Sequence, residues 1–432
     1  MRTRLLSLLM LSAITIVYQS CDSKLNVDNP DDFYKYIGKD GNQWAADIAT
    51  DADGNIFILG KTDSNSDGMQ VYLVMTNAQG NVQWSSTFGN LGDEDPKDLE
   101  LLNDGNIALV ADYTEVGGEK DFVIYKVNGS NGAVIGQPVR IGQGGVQEHV
   151  NSITQTADGF ITASYSDDGA LKTGYVHRFY NDLQQYPSVW DPKLQLSAGG
   201  TRDVVTVKTY QINDHTYFTF GYTNADNGDD IKDYNFFAYV GNETNIGGTL
   251  LIFESPETDS NERLTSVQPF TDASGGGFVM AGYVSYPVSG QQDLFIVKTR
   301  SSDVLALGNP NDNRTYQSGT PKVVTTNLSP IDLSNASVFS SADGSGFLLL
   351  GQESLSGDGN LYLTKVTKTL EDAWSEPHKS HIFGGIGNDR VGAVAETGNQ
   401  RILVVGTMTV GEINGQSKIV LMNLSPNGMF GE

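Results

Sequence analysis

The sequence contains a single cysteine, Cys21, among its 432 residues. One cysteine excludes an intramolecular disulfide framework and a cluster of thiolate metal ligands. Basic residues are also scarce, since 27 Lys and Arg stand against 52 Asp and Glu and give a formal net charge of -25. Nucleic acids and anionic membranes are bound by basic patches, so this balance argues against both partners. The acidic residues are spread over predicted turns and connections, a distribution that favours solubility and argues against anionic partners.

Helical periodicity and catalytic motifs are missing as well. No stretch sustains an apolar repeat of 3.6 residues, which excludes helical solenoids and βαβ folds. The motifs His-Glu-x-x-His and Gly-x-Ser-x-Gly, the Walker loop and the sialidase-type Asp box do not occur. The sequence therefore predicts no catalytic residue, no metal and no cofactor. A hydrolase stays open as an alternative, because 52 acidic residues hide any catalytic pair of carboxylates.

Two patterns suggest metal ligands, but each has a simpler interpretation. Residues 51–55 resemble the start of a calcium loop, yet the chain then enters an apolar run instead of reaching a chelating acid. We interpret this segment as a hairpin turn, in which Asp and Gly adopt unusual backbone angles. The five histidines are scattered, and His378 and His381 are expected to point to opposite faces of one strand. No zinc site is predicted from them.

The N-terminal segment is predicted to be a targeting signal. Residues 1–20 combine two arginines with an apolar run over residues 5–18, as in a secretory signal peptide. Cys21 follows the small residue Ser20, and this junction resembles the lipobox of bacterial lipoproteins in the looser form found in Bacteroidota. The resemblance implies lipidation of Cys21, a tether over residues 21–32 and an anchor in the outer membrane, on its periplasmic or its cell-surface face. The alternative is an ordinary cleaved signal followed by a chance cysteine.

The remaining chain is built from one repeated unit. Seven copies share a tight turn, a short apolar run and a closing small residue, at 53–60, 104–111, 158–164, 215–221, 276–282, 344–351 and 399–406. An alternating run precedes each copy, a third run follows it, and a fourth closes most units. Four short strands repeated at roughly 50 residues are typical of a β-propeller blade. The sequence therefore predicts an all-β, seven-bladed β-propeller of four-stranded blades over residues 33–432.

The two chain ends are predicted to close this ring together. The seventh unit lacks a fourth strand, whereas residues 33–38, which precede the first unit, match the fourth-strand pattern. We therefore expect residues 33–38 to pair with residues 418–424 and to complete the seventh blade. Such pairing removes an exposed sheet edge.

Several short motifs accompany the units. They include the Gly-Gly-x-Gly-x-Asp run at residues 384–389, the turn Gly105-Asn106 and a Gly-x-x-x-Trp run from Gly80 to Trp84. With these motifs the chain resembles the propeller repeats of secreted and lipid-anchored Bacteroidota proteins. The resemblance covers residues 33–432 in outline and implies the propeller fold. It leaves the function open, because propellers serve as enzymes, ligand binders and scaffolds.

One residue of each predicted inner strand is expected near the propeller axis. These candidates directly precede the apolar residue that anchors the strand, and they are Asp47, Asp98, Ser152, Thr206, Ser266 and Ser337, with Ala393 in the seventh unit. We interpret them as a polar ring that solvates a water-filled channel. The alternative is that Asp47 and Asp98, from adjacent blades, hold a cation or a ligand.

Aromatic residues form a second set of candidates. Tyr113, Tyr222 and Tyr283 follow the second strand of their units and are predicted to form a contact rim at a loop exit. Trp84 and Trp374 occupy equivalent fourth-strand positions and are expected to pack between blades. The longest loop is predicted at residues 302–334 and is a candidate partner surface.

These expectations combine into a functional hypothesis. The protein is predicted to be a non-catalytic outer-membrane lipoprotein whose propeller binds an envelope protein or an extracellular glycan. A converging pair of carboxylates in a deep axial pocket would instead favour a carbohydrate-active or other hydrolytic enzyme with its site at the channel mouth.

Overall fold

The computed structural model of the chain describes residues 32–64, 68–89, 92–185, 202–213, 216–224, 233–242, 250–253, 260–272, 275–302, 320–324, 334–353, 359–375, 378–385, 387–411 and 415–431. Within these ranges the chain forms 27 β-strands in seven antiparallel sheets, six of four strands and one of three. Each sheet is one blade, so the predicted seven-bladed β-propeller is confirmed. No helix in the described ranges is long and apolar enough to cross a membrane.

Within each blade the strands follow one another from the axis outward. Blade one comprises β2 (Gln43–Thr50), β3 (Ile56–Thr62), β4 (Gln70–Thr76) and β5 (Val82–Phe88). Blade two comprises β6 (Gly92–Leu101), β7 (Ile107–Glu115), β8 (Lys120–Val127) and β9 (Val139–Ile141). Blade three comprises β10 (Gln147–Gln155), β11 (Gly159–Asp167) and β12 (Lys172–Tyr180). Blades four and five comprise β13 (Val204–Asn213), β14 (Thr216–Thr223), β15 (Asn235–Asn242) and β16 (Leu250–Phe253); and β17 (Asn261–Asp272), β18 (Gly275–Ser285), β19 (Gln292–Arg300) and β20 (Thr320–Val324). Blades six and seven comprise β21 (Ser334–Ser340), β22 (Gly346–Glu353), β23 (Asn360–Thr367) and β24 (Ser380–Phe383); and β25 (Arg390–Glu396), β26 (Ile402–Val410), β27 (Gln416–Leu424) and β1 (Phe33–Ile37).

The hydrophobic core lies between the blades. The central strands are apolar on both faces, as in β3, where Ile56, Phe57, Ile58 and Leu59 are all buried. The clusters formed by buried side chains join neighbouring blades, for example blades one and two or blades six and seven. Strands that are covered on both sides lack the alternation of a half-exposed sheet, which explains the continuous apolar runs in the sequence.

The ring closes through the two ends of the chain. Strand β1 is the outermost strand of blade seven and pairs antiparallel with β27, with Phe33 opposite Asn423 and Ile37 opposite Ile419. These are the two segments that the sequence predicts to pair. Asp32 adds an ion pair with Arg401 and accepts a hydrogen bond from the backbone N–H of Gly431.

The predicted hairpin turns follow local chemistry. In the first unit Asp51 Oδ1 accepts hydrogen bonds from the backbone N–H groups of Asp53 and Asn55, at 3.0 and 2.8 Å. Gly54 completes this turn with φ +80°, a left-handed angle that favours glycine. The carboxylate of Asp51 is therefore used within the turn, in line with the hairpin interpretation.

Indole N–H groups connect the outer parts of neighbouring blades. Trp84 Nε1 donates to the carbonyl of Gly129 at 3.2 Å, and Trp374 Nε1 donates to the carbonyl of Pro426 at 3.3 Å. Each acceptor lies in the turn after the third strand of the next blade. The two tryptophans thus have the equivalent inter-blade role that their spacing predicts, but only Trp84 lies in a fourth strand, because Trp374 precedes β24.

The prediction of one long loop at residues 302–334 is wrong in part. The fourth strand of blade five, β20, lies inside this segment and pairs with β19. Its flanks, residues 303–319 and 325–333, lie outside the described residues.

Candidate functional site

The inner strands place one position of each blade along the axis. In every blade this residue pairs with the second-strand residue that directly precedes the closing small residue of the repeat. Asp47 thus pairs with Leu59, and Ser337 pairs with Leu350. Their side chains line a cavity of about 170 Å³, here called the axial channel. Its axial positions are Asp47, Asp98, Ser152, Lys208, Ser266, Ser337 and Ala393. A β-bulge just before this position in most blades turns the inner strand towards the axis.

The prediction of Thr206 as the axial residue of blade four is wrong. Thr206 is fully buried, and its hydroxyl donates to backbone carbonyls of blade three at Ser164 and Tyr175. A β-bulge between Thr206 and Lys208 shifts the register, so Lys208 pairs with Phe220 and occupies the axial position. The same bulge precedes the axial position in most other blades, but in blade four the residue after the axial position is the polar Thr209. The apolar Val207 therefore served as the anchor in its place, and the residue before it, Thr206, was selected.

Four axial side chains bond to the next blade around the ring. In each case a side-chain oxygen accepts the backbone N–H that follows the axial position of that blade, at distances of 2.8–3.3 Å. The pairs are Asp47 with Leu99, Asp98 with Ile153, Ser266 with Val338, and Ser337 with Val394. The polar ring therefore holds adjacent blades together in addition to lining the channel.

A lysine crosses the channel and neutralises part of its charge. The Nζ of Lys208 lies 2.7 Å from Oδ2 of Asp98 and 3.1 Å from the carbonyl oxygen of Ile153. Burial alone would lower the pKa of Lys208, but the nearby Asp98 carboxylate outweighs this effect and raises it. The ammonium therefore stays charged at neutral pH.

The carboxyl group of Asp47 has a strongly raised pKa. Burial, followed by repulsion from Asp98, raises the pKa of Asp47 to about 8. Two backbone N–H groups oppose this shift: that of Ile48 reaches Oδ1 at 2.8 Å, and that of Leu99 reaches Oδ2 at 3.0 Å. Both carboxylate oxygens of Asp47 thus accept main-chain hydrogen bonds.

A wider cavity opens where the inner strands begin. This mouth cavity of about 360 Å³ is lined by Trp44, Lys61, Asp95, Lys97, Gln352 and Arg390, among other residues. Several of these residues pair between the first and second strands of a blade, closer to the start of the inner strand than the axial positions. Trp44 pairs there with Lys61, and Arg390 pairs with Thr407. A volume near 300 Å³ and above is typical of small-ligand sites.

Ion pairs order one side of the mouth cavity. Asp95 binds Lys61 at 2.7 Å through Oδ1 and Lys97 through Oδ2. Burial would raise the pKa of Asp95, but Lys97 and Lys61 outweigh it and hold the pKa at about 2. The Lys61 ammonium also lies 5.9 Å from the ring centroid of Trp44. Asp95 is therefore a permanent counter-ion for two lysines.

An aspartate–histidine pair lies next to Lys97, outside the lining of the mouth cavity. Asp112 Oδ2 lies 2.9 Å from Nδ1 of His149, and its Oδ1 accepts the backbone N–H of Val150 at 2.9 Å. The imidazole of His149 stacks on Tyr165, with ring centroids 4.6 Å apart. Lys97 approaches the same carboxylate at 3.7 Å. Every oxygen of Asp112 thus has a partner.

The three predicted rim tyrosines have different environments. Tyr222 and Tyr283 are half-buried and occupy equivalent positions in the strand pairs of blades four and five. The guanidinium of Arg263 lies 4.9 Å from the ring centroid of Tyr222. The prediction for Tyr113 is wrong, because this residue lies one position further along its strand, is only 5 % exposed and packs under Arg140.

The histidine prediction also needs a correction. His378 precedes β24, and its ring lies nearly parallel to that of His381, with centroids 6.1 Å apart. The two rings are therefore neighbours and do not point to opposite faces. Among the described residues no group of three His, Cys, Asp or Glu side chains is arranged to hold a metal ion.

Two sets of residues stand apart from these predictions. Cys21, with residues 1–31, lies outside the described part of the chain. Trp44, Lys61, Lys97 and Arg390 were not predicted, although each lies within three positions of an axial or closing small residue. This proximity is the signal that could have identified them.

Comparisons with known proteins identify no family and only distant structural likenesses. No protein-family model and no curated protein matches the sequence. A protein of unknown function from Dyadobacter fermentans superposes with a TM-score of 0.45 at 11 % identity, covering 90 % of this chain and 97 % of its own. The β-propeller domain of the Trilobed protease from Pyrococcus furiosus has a TM-score of 0.46 at 8 % identity, with coverages of 88 % and 95 %. An α-L-arabinanase from Penicillium chrysogenum has a TM-score of 0.44 at 11 % identity, with coverages of 76 % and 93 %. At these identities the likeness concerns the fold and not the function.

Proposed function

We propose that this propeller is a lipid-anchored, non-catalytic binding protein that holds a glycan at the mouth of its axial channel. The observation that carries the proposal is the mouth cavity of about 360 Å³, where Trp44 stands beside charged side chains. Aromatic rings provide flat apolar surfaces, and neighbouring polar groups fix the orientation of a ligand. A rigid ring of blades supports these side chains from below.

The hydrogen bonds and ion pairs of the carboxylates support a non-catalytic role. Asp95 is bound to two lysines, and both oxygens of Asp112 have partners. Asp47 and Asp98 accept backbone N–H groups from the next blade. A glycosidase needs one carboxylic acid and one carboxylate that both face the scissile bond. Carboxylates whose oxygens are already engaged in hydrogen bonds and ion pairs within the protein are poorly placed to attack or protonate a glycosidic bond.

One observation favours the alternative of a hydrolytic enzyme. The raised pKa of Asp47, a carboxyl group next to a second carboxyl group, is a feature of general acids in active sites. Activity screening with chromogenic glycosides and peptides, on the wild-type protein and on Asp47→Asn, addresses this alternative. The binding proposal expects no turnover from either protein, whereas turnover that is lost in Asp47→Asn would establish the enzyme.

The anchoring part of the proposal rests on the N-terminal sequence. An apolar run in residues 1–20 precedes Cys21, and several acyl chains on this cysteine would hold the protein on a membrane. We propose the outer membrane as its location. Protease treatment of intact cells distinguishes a cell-surface protein, which is degraded, from a periplasmic one, which is protected.

The binding site is tested with a glycan array and a pair of aromatic variants. We expect the wild-type protein to bind a defined set of glycans and Trp44→Ala to lose this binding. Tyr180→Ala removes an aromatic side chain that is 39 % exposed on β12, and it should bind as the wild type does. Equal binding by all three proteins would place the ligand elsewhere, and absence of any glycan or envelope-protein ligand would contradict the proposal.

A further inference from the structure

Hydrogen-bond donors exceed acceptors among the charged groups of the mouth cavity. In the described part of the lining, Lys61, Lys97 and Arg390 occur together with one carboxylate, that of Asp95. Each ammonium carries three N–H donors and the guanidinium carries five, whereas Asp95 already accepts from both lysines. The cavity therefore offers donors that its own side chains do not saturate.

Arg390 has the fewest polar partners of these cations within the described part of the chain. It is exposed at the first position of β25, and within the described part of the chain its guanidinium has no hydrogen bond or ion pair. The neighbouring carboxylate of Asp389 is buried and accepts the backbone N–H groups of Gly385 and Thr409, at 2.7 and 3.2 Å. Asp389 is thus oriented towards the backbone. A guanidinium at a cavity wall matches the two oxygens of a carboxylate or sulfate group.

The charges of the mouth cavity persist at neutral pH. The lysines hold the pKa of Asp95 at about 2, so protonation does not remove this counter-ion. Burial would lower the pKa of Lys97, but Asp112 and Asp95 outweigh it and raise the pKa. Among the described residues of the lining, three cations and one anion give a formal charge of +2, in a chain whose net charge is -25.

This local charge gives the ligand a chemical class. We infer that the mouth cavity binds an anionic group, a carboxylate or a sulfate ester, carried by an acidic polysaccharide, with Arg390 as its main partner and Lys61 beside it. The inference rests on the proposed function, since it names the ligand class of the same cavity. It also revises the expectation that the acidic composition excludes anionic partners, because the field at a cavity depends on its own lining and not on the net charge.

The shape of the cavity favours a sugar over an extended acidic peptide. Trp44 lines the wall next to Lys61, so an anionic ring sugar can contact the indole while its acidic group reaches the cations. The volume of about 360 Å³ accommodates a small unit of a polymer and not a folded segment. The acidic remainder of the surface repels a polyanion, which confines binding to this mouth.

Calorimetric titration with matched oligosaccharides tests the inference. One arm uses oligogalacturonate and its methyl-esterified form, and the other uses chondroitin sulfate oligosaccharides and their desulfated form. We expect one acidic ligand to bind at least tenfold more tightly than its modified form, and the responding arm identifies a carboxylate or a sulfate ester. Binding should weaken as salt is added, because the contact is between charges.

Variants connect the effect to Arg390. Arg390→Ala should weaken binding of the acidic ligand at least tenfold and bring it to the level of the modified ligand, while Arg390→Lys should retain part of it. Lys379→Ala removes an exposed cation near the outer strand β24 of blade six and should have no effect. Thermal unfolding shows whether each variant is folded.

The outcomes separate this inference from the proposed function. If acidic and modified ligands bind equally, Arg390→Ala has no effect and Trp44→Ala abolishes binding, the mouth is a glycan site but the anionic preference is overturned. If neither variant affects the binding of any glycan, both statements are overturned.

Discussion

The Nζ atom of Lys208 lies 2.7 Å from Oδ2 of Asp98 and joins blade four to blade two across the axial channel. Lys208 is also near Asp47, whose carboxyl group is repelled by Asp98. The lysine thus allows two aspartates to share a narrow channel. Its loss would leave the negative charge of Asp98 poorly compensated.

The first prediction concerns this ion pair. Lys208→Met should lower the free energy of unfolding by about 2 kcal/mol, because removing one partner leaves an uncompensated, largely buried carboxylate. The double variant Asp98→Asn/Lys208→Met should recover part of the loss, as measured by urea denaturation. Additive effects of the two single changes would contradict a direct interaction.

The second prediction concerns pH. The pKa of Asp47 is raised to about 8, so the folded protein retains a proton that the unfolded chain, with a pKa of about 3.9, releases. Stability from this group is therefore lost as the pH rises from about 4 to about 8. Asp47→Asn should gain stability relative to the wild type between pH 5 and pH 8, in urea denaturation at several pH values.

Asp104→Asn is the control for this pH effect. A hydrogen bond with Asn106 is the main cause that lowers the pKa of Asp104, so its carboxylate is ionised in both states above pH 5. Its difference from the wild type should stay constant over the same interval. A parallel, flat difference for Asp47→Asn would show that Asp47 is already ionised in the folded protein at pH 5.

The third prediction concerns the bonds between blades. Ser337→Ala removes the acceptor of the Val394 N–H and should lower the free energy of unfolding by about 1 kcal/mol. Ser152→Ala is the matched control, because the Ser152 hydroxyl is buried without a hydrogen-bond partner among the described residues. Its removal should have an effect near zero. If both variants lose the same free energy of unfolding, in thermal or urea denaturation, the polar ring does not hold adjacent blades together.

The fourth prediction concerns ring closure. Ile37 is 3 % exposed in the core between blades seven and one, so Ile37→Ala should lower the free energy of unfolding by about 2–4 kcal/mol. Tyr36, its neighbour on the other face of β1, is 51 % exposed, and Tyr36→Ala should cost much less. A chain that begins at Lys39 should melt at a sharply lower temperature than one that begins at Asp32. An unchanged melting temperature would disprove closure by β1.

The fifth prediction concerns the anchor. Cys21→Ser should abolish incorporation of radiolabelled palmitate and move the protein from the membrane fraction to the soluble fraction. The propeller itself should keep its melting temperature, because residue 21 precedes its first strand. Continued labelling of the variant would exclude Cys21 as the acceptor of the acyl chains.

The fold could be predicted in detail because its determinants are local and repeated. Turn residues such as Asp53 and Gly54 mark each hairpin, and the apolar runs mark strands that are buried on both faces. The missing fourth strand of the last unit and the surplus strand at residues 33–37 then leave one consistent closure. These signals are independent of distant contacts.

The site could be predicted only in part. Five of the six polar axial residues were identified, but in blade four the polar Thr209 follows the axial position, so Thr206 was predicted in place of Lys208. Tyr113 was assigned to the rim because a shift of one position along a strand is invisible in a short motif, although it moves the side chain to the other face. Register is set by pairing between strands, which the apolar pattern reports only approximately.

The sequence by itself determined the number of blades, their strand order and the way in which the ring closes, since apolar runs and turn chemistry act within a few residues. Only the tertiary structure decided which cations share the mouth cavity. Trp44, Lys97 and Arg390 come from blades one, two and seven and meet because the ring closes on itself. Their common environment, and with it the local positive charge of an acidic protein, is a property of the closed ring and not of any single unit.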